Sequence, residues 1–265
     1  MWTRYRANDI NGEGILGENI NLKRIHILNV PIDILPEEDF EDTIRDLLAD
    51  KGQHQIIFLS FDAFLKARGN NEFARTVQQA SLVIPTSKRI VKAAKFLKLP
   101  RPVRYMPFNF VIKLLGTLEK TRNTLYIAGM KPAGINIVST NLRDSFPGLR
   151  IVGRCAGFFK ADAEKDIILA IKKAAPSLLL GGNGIPGKDR WFYRNMKEFS
   201  SGLFLWCNDC FDIFLGKKQK ISNEKWEGKS YWFFKAVKTP WKFWKVFRYM
   251  IYLIRLLVER IKKKP

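Results

Sequence analysis

The segment LLLGGNGIPGKDRW, residues 178–191, decides the fold because it joins a strand to a helix through a glycine-rich turn. Its first residues, Leu178 to Leu180, are a short apolar run of the kind that is buried inside a parallel sheet. Glycines and a proline then end that run, and the next residues, KDRWFYRNMKEF, have the pattern of a helix. The segment therefore predicts one strand–turn–helix unit of an α/β sheet.

The same alternation of strand and helix runs along most of the chain. Strand patterns occupy residues 24–33 (a strand or a hairpin arm), 55–60, 81–85, 124–130, 149–159 (a strand and then a loop), 177–184 and 202–207. Helix patterns occupy residues 36–50, 61–80 with a break near Gly69, 86–98, 131–146, 164–175 and 188–199. Short connections of this kind require right-handed crossovers between parallel strands. The sequence therefore predicts a Rossmann-like α/β fold, a parallel sheet with helices on both faces.

Ligands of such sheets bind beyond the carboxyl ends of the strands. In this chain that edge carries residues 85–87, 129–132, 153–154 and 181–189. Three of these four turns contain glycine, and three place a lysine or arginine nearby. Backbone N–H groups at helix N-termini form a diphosphate site together with such side chains. Ordinary turn formation by glycine is the alternative interpretation.

The turn after Leu180 also has part of the pattern of a nucleotide-triphosphate P-loop. Gly182 and Gly187-Lys188 have the spacing G-x-x-x-x-G-K. A P-loop continues with a Ser or Thr that holds magnesium, whereas this chain has Asp189, and Pro186 removes one N–H donor from the loop. These departures argue against a P-loop.

The three cysteines, Cys155, Cys207 and Cys210, do not form a disulfide scaffold. The segment WCNDC has the C-x-x-C spacing of thioredoxins, but it lies near the end of a large domain and not near the start of a small one. A zinc site would need more ligands than Cys155, His26 and His54 supply. We therefore expect the cysteines to be small packing residues in a reducing, cytoplasmic location.

The charge of the chain is strongly positive and unevenly distributed. Lys and Arg number 46 against 25 Asp and Glu, a net charge of +21, which points to an anionic partner such as nucleic acid, a phosphorylated ligand or a membrane. Residues 217–265 hold 15 Lys and Arg but only 3 Asp and Glu. We find no secretory signal and no apolar run of about 18 residues that predicts a transmembrane helix. The predicted organisation is a loose lead-in (1–22), a Rossmann-like domain (23–216) and a basic, aromatic appendage (217–265).

The end of the appendage predicts a basic amphipathic helix. On a helical wheel that begins at Lys242, charges at 245, 248, 255, 259 and 262 fall on one side, and Trp244, Phe247, Ile251, Ile254 and Leu257 on the other. Dense aromatic rings beside Lys and Arg suit the headgroup layer of an anionic membrane. The residues predicted to contact the membrane or a lipid-linked acceptor are Trp241, Lys242, Trp244, Lys245 and Arg248. The alternatives are a helix docked on the protein's own core and a nucleic-acid patch, and we expect no nucleic acid.

Four segments of the chain resemble the WecG/TagA/CpsF family of glycosyltransferases, glycosyltransferase family 26. They are ILNVPIDILPEEDFEDTI, LYIAGMKPAGINIVSTNLRDSFPGLRIVGRCAGFF, LLLGGNGIPGKDRWFYRN and CFDIFLGKKQK. The family pattern contains G-x-K-P, P-G-L-x-I-V-G and G-x-G-x-P, and the resemblance extends from about Arg24 to Phe247. Residues in matching places are Gly129, Lys131, Pro132, Pro147, Gly148, Gly153, Gly157, Gly182, Gly184, Pro186, Trp191, Phe211, Asp212 and Gly216.

The resemblance implies a bacterial enzyme at the cytoplasmic face of the inner membrane, bound peripherally. It would move an N-acetylmannosamine-type or related sugar from a UDP donor to a polyprenyl-diphosphate-linked sugar in cell-surface polysaccharide synthesis. It implies no cofactor and no metal, and leaves open a homo-oligomer or a catalytic partner. The residues expected to bind the donor are Gly129, Lys131, Pro132, Gly182, Asn183, Gly184, Pro186 and Lys188.

The chain departs from the family at its catalytic positions. The family's catalytic-base Asp, in a D-G pair after the strand SLVIP, is replaced by Thr86. An unperturbed hydroxyl cannot act as that base. The catalytic candidates are therefore Asp189, Asp209 and the Thr86 position, with Asp62 as a further carboxylate, while Lys188 would steady the donor diphosphate. Either the base has moved to another carboxylate, or the protein is an inactive lipid-sugar-binding or scaffold subunit.

Overall fold

The computed structural model describes residues 22–222, 224, 226 and 243–262, with the backbone alone at residue 208 and residues 243–247. The predicted lead-in, apart from Leu22, lies outside the described residues, as do Trp241 and Lys242.

Within the described residues, eight strands form a hairpin and a six-stranded sheet. The hairpin pairs β1 (Lys23–Ile27) with β2 (Val30–Ile34) in antiparallel fashion. The sheet contains β3 (Gln53–Leu59), β4 (Leu82–Pro85), β5 (Thr124–Ala128), β6 (Arg150–Cys155), β7 (Leu178–Gly181) and β8 (Gly202–Trp206). Its order is β4-β3-β8-β7-β5-β6, and every neighbouring pair is parallel. All six carboxyl ends therefore lie along one edge.

Helices cover both faces of the sheet. They are α1 (Phe40–Ala49), α2 (Phe61–Ala67), α3 (Glu72–Gln79), α4 (Lys88–Phe96), α5 (Pro107–Lys120), α6 (Pro132–Ser145), α7 (Glu164–Ala174), α8 (Asp189–Asn195), α9 (Asn208–Phe214) and α10 (Phe243–Lys262). Helices α1, α5, α6 and α9 pack on one face, and the hairpin with the remaining helices packs on the other. The predicted Rossmann-like α/β fold is confirmed.

The strands are buried on both sides, which explains why they are continuous apolar runs in the sequence. Ile56 belongs to the core under α1 and α5, while its neighbour Ile57 belongs to the core under the hairpin and α2. Leu178 and Leu180 likewise face one side and Leu179 the other. Successive side chains of a strand point to opposite faces, so each strand contributes to two cores.

Helices α1 and α5 are two of the elements that differ from the sequence-based expectation. Helix α1 begins at Phe40 and not at Pro36, because residues 37–39 form a turn from which Glu37 reaches Lys113 of α5 at 3.0 Å. No helix was expected at residues 107–120, where α5 lies. Its signals were a proline at the first position and a buried stripe that includes Phe110 and Leu114.

The cysteines of WCNDC are paired, which corrects the expectation that they only fill space. Cys207 and Cys210 form a disulfide with their Cα atoms 5.7 Å apart. Both are buried in the core beneath α5 and α9, so they also have the expected packing role. The pairing arises because the first turn of α9 brings two residues three positions apart within bonding reach.

Candidate functional site

The strand order places a topological switch point between β5 and β7, and we call the loop-covered carboxyl ends of these two strands the crevice. Strand β5 leads into α6 on one face of the sheet, whereas β7 leads into α8 on the opposite face. When the connections after two neighbouring strands run to opposite faces of the sheet, a gap forms at the carboxyl ends of those strands. Ligands of open α/β sheets bind in such a gap. The glycine turns that the sequence suggested for diphosphate binding lie at this gap.

Three loops close on one another at the crevice. The N–H of Met130 donates to the carbonyl of Asn183, and the N–H of Gly157 donates to the carbonyl of Met130 at 2.7 Å. The N–H of Phe158 donates to the carbonyl of Gly184 at 2.8 Å. The loop after β6 thus crosses the end of β5 and reaches the loop after β7.

Two glycines make this approach possible. Gly129 has φ +124°, and a Cβ there would lie 2.9 Å from the backbone of Gly182 and of Asn183. Gly184 has φ +91°, and a Cβ there would lie 2.7 Å from the ring of Phe158. Both conformations are ones that residues other than glycine rarely adopt. The G-x-G pattern is therefore needed for loop packing at the crevice.

Lysines flank the crevice on its two faces. Lys131 is exposed immediately before α6, and no side chain caps that helix. Its first N–H groups are therefore left for water or a ligand. On the other face, Nζ of Lys188 lies 5.0 Å from the ring centre of Trp206, whose indole N–H donates to the carbonyl of Gly182 at 3.0 Å.

The eight predicted donor-binding residues lie on the loops after β5 and β7, apart from Pro132, which is the first residue of α6. They are Gly129, Lys131, Pro132, Gly182, Asn183, Gly184, Pro186 and Lys188. Lys131 and the first N–H groups of α6 offer positive charge to an anion on one side of the crevice, and Lys188 lies on the other side.

The carboxylate candidates separate into two groups. Asp209 lies in the first turn of α9, just beyond the end of β8, and its side chain is largely exposed. Nζ of Lys218 donates to its Oδ1 at 2.7 Å and lies 2.9 Å from Oδ2 of Asp212. These two carboxylates raise the pKa of Lys218. Asp209 is therefore a carboxylate held by a cation at the carboxyl edge.

Asp62 and Thr86 lie on the other side of Asp209, at the ends of β3 and β4. Asp62 is exposed in the first turn of α2, and the N–H of Thr86 donates to the carbonyl of Leu59 at 3.0 Å. The strand order therefore places Asp209 between these two residues and the glycine loops. With neighbouring strands about 4.8 Å apart, Thr86 lies roughly 19 Å along the edge from the end of β5.

Asp189 is not part of this edge. It is only 9 % exposed, and its backbone carbonyl accepts a hydrogen bond from the side chain of Gln55 at 2.9 Å. Gln55 lies in the first half of β3, so Asp189 rests over the body of the sheet. Its Oδ1 accepts no hydrogen bond within the described part of the chain, and burial raises its pKa to about 7. The structure does not bring Asp189 together with the other candidates.

The sequence was compared with known proteins. The sequence model of the glycosyl transferase WecG/TagA/CpsF family matches residues 25–265. The chain belongs to this family of glycosyltransferases. It is 17 % identical over 196 residues to the N-acetylglucosaminyldiphosphoundecaprenol N-acetyl-beta-D-mannosaminyltransferase of Bacillus subtilis (strain 168), covering 74 % of this chain and 75 % of the relative. It is 18 % identical over 201 residues to the transferase of the same name from Bacillus spizizenii, covering 76 % and 77 %. The predicted family membership is confirmed.

In this WecG/TagA/CpsF family member, α10 docks on the helices that follow β3 and β4. Tyr252 and Leu256 are buried, and the hydroxyl of Tyr252 donates to the carbonyl of Arg89 at 3.3 Å. The guanidinium of Arg89 lies 4.7 Å from the ring centre of Phe61 and 4.8 Å from that of Tyr249. One alternative for the appendage, docking on the protein's own core, is therefore realised in α10.

The outward face of α10 is apolar. Its exposed large side chains are Met250, Leu253, Ile254, Leu257, Val258 and Ile261. On a wheel of 100° per residue these centre opposite Tyr252. Arg255 and Lys262 follow one border of this face and Arg260 the other, while Arg248 lies closer to Tyr252. The wheel therefore placed Ile254 and Leu257 on one face correctly, whereas half-buried Ile251 lies at its margin. Of Trp244 and Lys245 the structure describes only the backbone.

Two absences apply to the described residues. No group of three or more His, Cys, Asp and Glu side chains among them could hold a metal ion. No described helix is both long and apolar enough to cross a membrane.

Two residues at the carboxyl edge of the sheet, Lys218 and Phe158, were not among the site residues predicted from the sequence. Lys218 lies nine positions beyond Asp209, a separation that no helix or strand period connects. Phe158 lies in a loop, where periodicity gives no signal. It lies in a segment that carries the family resemblance, but it was not among the residues predicted to bind the donor, and only the structure shows where its ring lies.

Proposed function

We propose that this protein is a membrane-peripheral glycosyltransferase of cell-surface polysaccharide synthesis. Its donor is a UDP-linked sugar of the N-acetylmannosamine type, and its acceptor is a polyprenyl-diphosphate-linked sugar. Family membership and the names of the two Bacillus relatives support this reaction class. The single observation that carries the proposal is the crevice between β5 and β7, lined by glycine loops and two lysines.

The donor diphosphate lies at the crevice. The uncapped N-terminus of α6 and the ammonium groups of Lys131 and Lys188 supply positive charge there. This charge stabilises the UDP leaving group as the bond from its phosphate oxygen to the anomeric carbon breaks. The family resemblance implies no metal, and the lysines serve as the counter-charge.

Asp209 is the general base. It stands between the donor loops and the ends of β3 and β4, where the acceptor enters. The acceptor hydroxyl attacks the anomeric carbon, its proton passes to the Asp209 carboxylate, and UDP leaves in a single displacement. Lys218 fixes the position of that carboxylate through its 2.7 Å contact.

The acceptor side coincides with the membrane side. Helix α10 packs on α2 and α4, which follow β3 and β4, and it turns an apolar face bordered by cations away from the protein. Such a face inserts into the headgroup layer while its arginines meet anionic lipid. A lipid-linked acceptor would thus reach the edge beside Asp62 and Thr86 without leaving the bilayer.

The test is acceptor-dependent UDP release by the full-length protein on anionic vesicles, with a panel of UDP-sugars and a short polyprenyl-diphosphate-GlcNAc. We expect Asp209→Asn to lower the rate by about 10²-fold or more. Asp189→Asn is the control and should retain the rate, since Asp189 lies away from the edge. Full activity of Asp209→Asn would remove it as the base, and Asp62→Asn would then be measured.

The second candidate is a non-catalytic subunit that binds lipid-linked sugar or nucleotide at the membrane. The observation in its favour is Thr86 at the position where the family carries its base. It predicts saturable UDP binding with no acceptor-dependent release for any sugar in the panel. That outcome would replace the transferase proposal and direct the search to a catalytic partner.

A further inference from the structure

The disulfide between Cys207 and Cys210 encloses Asp209, the residue proposed as the general base. Cys207 immediately follows β8, and Cys210 lies in the first turn of α9. Their Cα atoms are 5.7 Å apart, inside the range over which a disulfide forms without movement of the backbone. The turn that carries Asp209 therefore holds its two flanking cysteines within bonding reach.

Neither metal binding nor cross-linking of the fold accounts for the pair. Among the residues that the structure describes, no group of three or more His, Cys, Asp and Glu side chains could hold a metal ion. The bond joins residues only three positions apart, and the stabilisation by a cross-link falls as the loop that it closes becomes shorter. At the cytoplasmic face implied by the family resemblance, the disulfides that occur are usually transient and catalytic or redox-sensing. These arguments favour a reversible bond.

The turn that contains the pair is connected to the glycine loop after β7. The N–H of Cys207 donates to the carbonyl of Gly181 at 2.8 Å. Trp206, the residue before the pair, donates its indole N–H to the carbonyl of Gly182 at 3.0 Å. The ring of Phe211, the residue after the pair, lies 2.8 Å from the place that a Cβ of Gly182 would occupy. The residues on both sides of the pair therefore contact the same glycine.

Opening of the disulfide changes the packing of this turn. Cys207 and Cys210 are only 4 % and 0 % exposed, and both lie in the core beneath α5 and α9. Atoms that are not bonded stay roughly 3.5 Å or more apart, so two thiols need more room than one S–S bond. A close-packed core leaves no space for this separation. The first turn of α9 therefore shifts when the bond opens, and Asp209 moves with it.

We propose that Cys207 and Cys210 form a reversible thiol–disulfide switch that sets the position of Asp209. The oxidised pair holds the carboxylate where the structure shows it, between the donor loops and the ends of β3 and β4. The reduced pair displaces the carboxylate and slows the reaction. The effect on the reaction rests on the proposed function, in which Asp209 is the base, whereas the movement of the turn does not.

A small dithiol is the reductant of the switch. One of its thiolates attacks the sulfur of Cys207, the less buried of the two, and the thiolate of Cys210 leaves. The second thiol of the reductant then attacks the mixed disulfide, so that the reductant departs as a cyclic disulfide. The protein gains two electrons and two protons, one of each for each sulfur. Glutathione disulfide reverses the exchange and is itself reduced to two molecules of glutathione.

The first measurement follows the bond itself. The full-length protein is equilibrated in dithiothreitol or in glutathione disulfide, quenched with acid, unfolded and alkylated, and the labelled cysteines are identified by mass spectrometry. Cys207 and Cys210 should be labelled after dithiothreitol and protected after glutathione disulfide. Cys155 is the internal control: it is free, and burial raises the pKa of its thiol to about 11, so it should be labelled after both treatments. Labelling of the pair after both treatments, or its protection after both, would overturn the switch.

The second measurement follows the turn without reference to catalysis. Reduction should accelerate hydrogen exchange at the N–H of Cys207, which is bonded to the carbonyl of Gly181, by about tenfold. The amides in the middle of α7, on the opposite face of the sheet, are the control and should exchange at the same rate in both states. Unchanged exchange at Cys207 would show that the bond does not set the geometry of the turn.

The third measurement compares acceptor-dependent UDP release in the two states. Reduction should lower the rate about tenfold or more, because a small displacement of a reacting group is costly, and reoxidation should restore it. The double variant Cys207→Ala with Cys210→Ala should respond to neither treatment. Equal rates of the oxidised and reduced wild type would overturn the control of Asp209 by the pair. Absence of release in both states would remove the proposed transferase, while labelling and hydrogen exchange would still decide whether the pair moves the turn.

Discussion

Asp189 shows how burial changes the role that a residue type suggests. An acidic residue behind a glycine-rich turn is a natural candidate for chemistry, yet its carboxyl lies over the sheet. Desolvation penalises the charged form of a carboxyl, and here burial raises its pKa to about 7. The residue therefore affects stability, and the exposed Asp209 is the better candidate for proton transfer.

The raised pKa makes stability depend on pH. Below about pH 4 the carboxyl is protonated in both folded and unfolded chains, so it carries no charge penalty. Between about pH 4 and pH 7 the carboxyl loses its proton only in the unfolded chain. The free energy of unfolding therefore falls by roughly 1.4 kcal/mol per pH unit in this range. Above about pH 7 the Asp189 carboxyl is ionised in both the folded and the unfolded chain, and the decrease in the free energy of unfolding stays constant. The difference in the free energy of unfolding between Asp189→Asn and wild type should therefore grow in favour of the variant from about pH 4 to about pH 7.

Chemical denaturation at several pH values measures this difference. Asp144→Asn, at an exposed position of α6, is the matched control because its carboxyl stays in water in both states. A free-energy difference between wild type and Asp189→Asn that is flat from pH 4 to pH 7 would show that Asp189 is ionised when folded.

At the scale of elements, α10 has two apolar faces with different partners. Tyr252 and Leu256 belong to the core beneath the hairpin and α2, and Glu259 accepts a hydrogen bond from the N–H of Leu28 at 2.9 Å. The opposite face, around Leu257 and Ile261, has no such packing and is exposed. A helix that is apolar on both sides needs a second apolar surface, and the bordering arginines favour an anionic bilayer.

Substitution of each face should therefore have a different effect. Leu257→Glu with Ile261→Glu should abolish binding to anionic vesicles in a sedimentation assay and leave the unfolding temperature within a few degrees of wild type, since both residues are exposed. Tyr252→Ala, on the docked face, should lower stability by about 3 kcal/mol. Vesicle binding that survives the double substitution would show that another surface holds the membrane.

At the scale of the whole molecule, the net charge of +21 and the docked helix connect the fold to its partners. The charge is concentrated in residues 217–265, and α10 of that segment packs on α2 and α4, which follow the two strands where the acceptor is proposed to enter. The charge therefore fits attraction to a membrane better than it fits a groove for nucleic acid.

Removal of residues 241–265 should have two consequences. The shortened chain should lose binding to anionic vesicles, and it should be less stable by about 3 kcal/mol or more, because the docked face of α10 is lost. Vesicle sedimentation at two salt concentrations and urea unfolding measure these effects, and binding by the full chain should weaken with salt. A shortened chain that still sediments with vesicles would contradict the role of the C-terminal segment as the anchor.

Much of the fold could be predicted because it depends on local patterns. Apolar runs such as Leu178 to Leu180, separated by glycine turns, predict buried parallel strands whatever their order in the sheet. The break near Gly69 is also local, and it is confirmed. The family pattern around Gly129 and Gly182 identified the loops of the crevice for the same reason.

Tertiary structure alone decided which residues meet. The insertion of β8 between β3 and β7 places Asp209 at the centre of the edge, and no local pattern encodes a pairing between strands that are distant in sequence. The packing of α8 on the sheet buries Asp189, and the crossing of the loop after β6 places Phe158 beside Gly184. The sequence thus determined most of the elements and the glycine turns, while the order of the strands determined which candidate residues lie side by side, because contacts between distant segments depend on the packing of the whole chain.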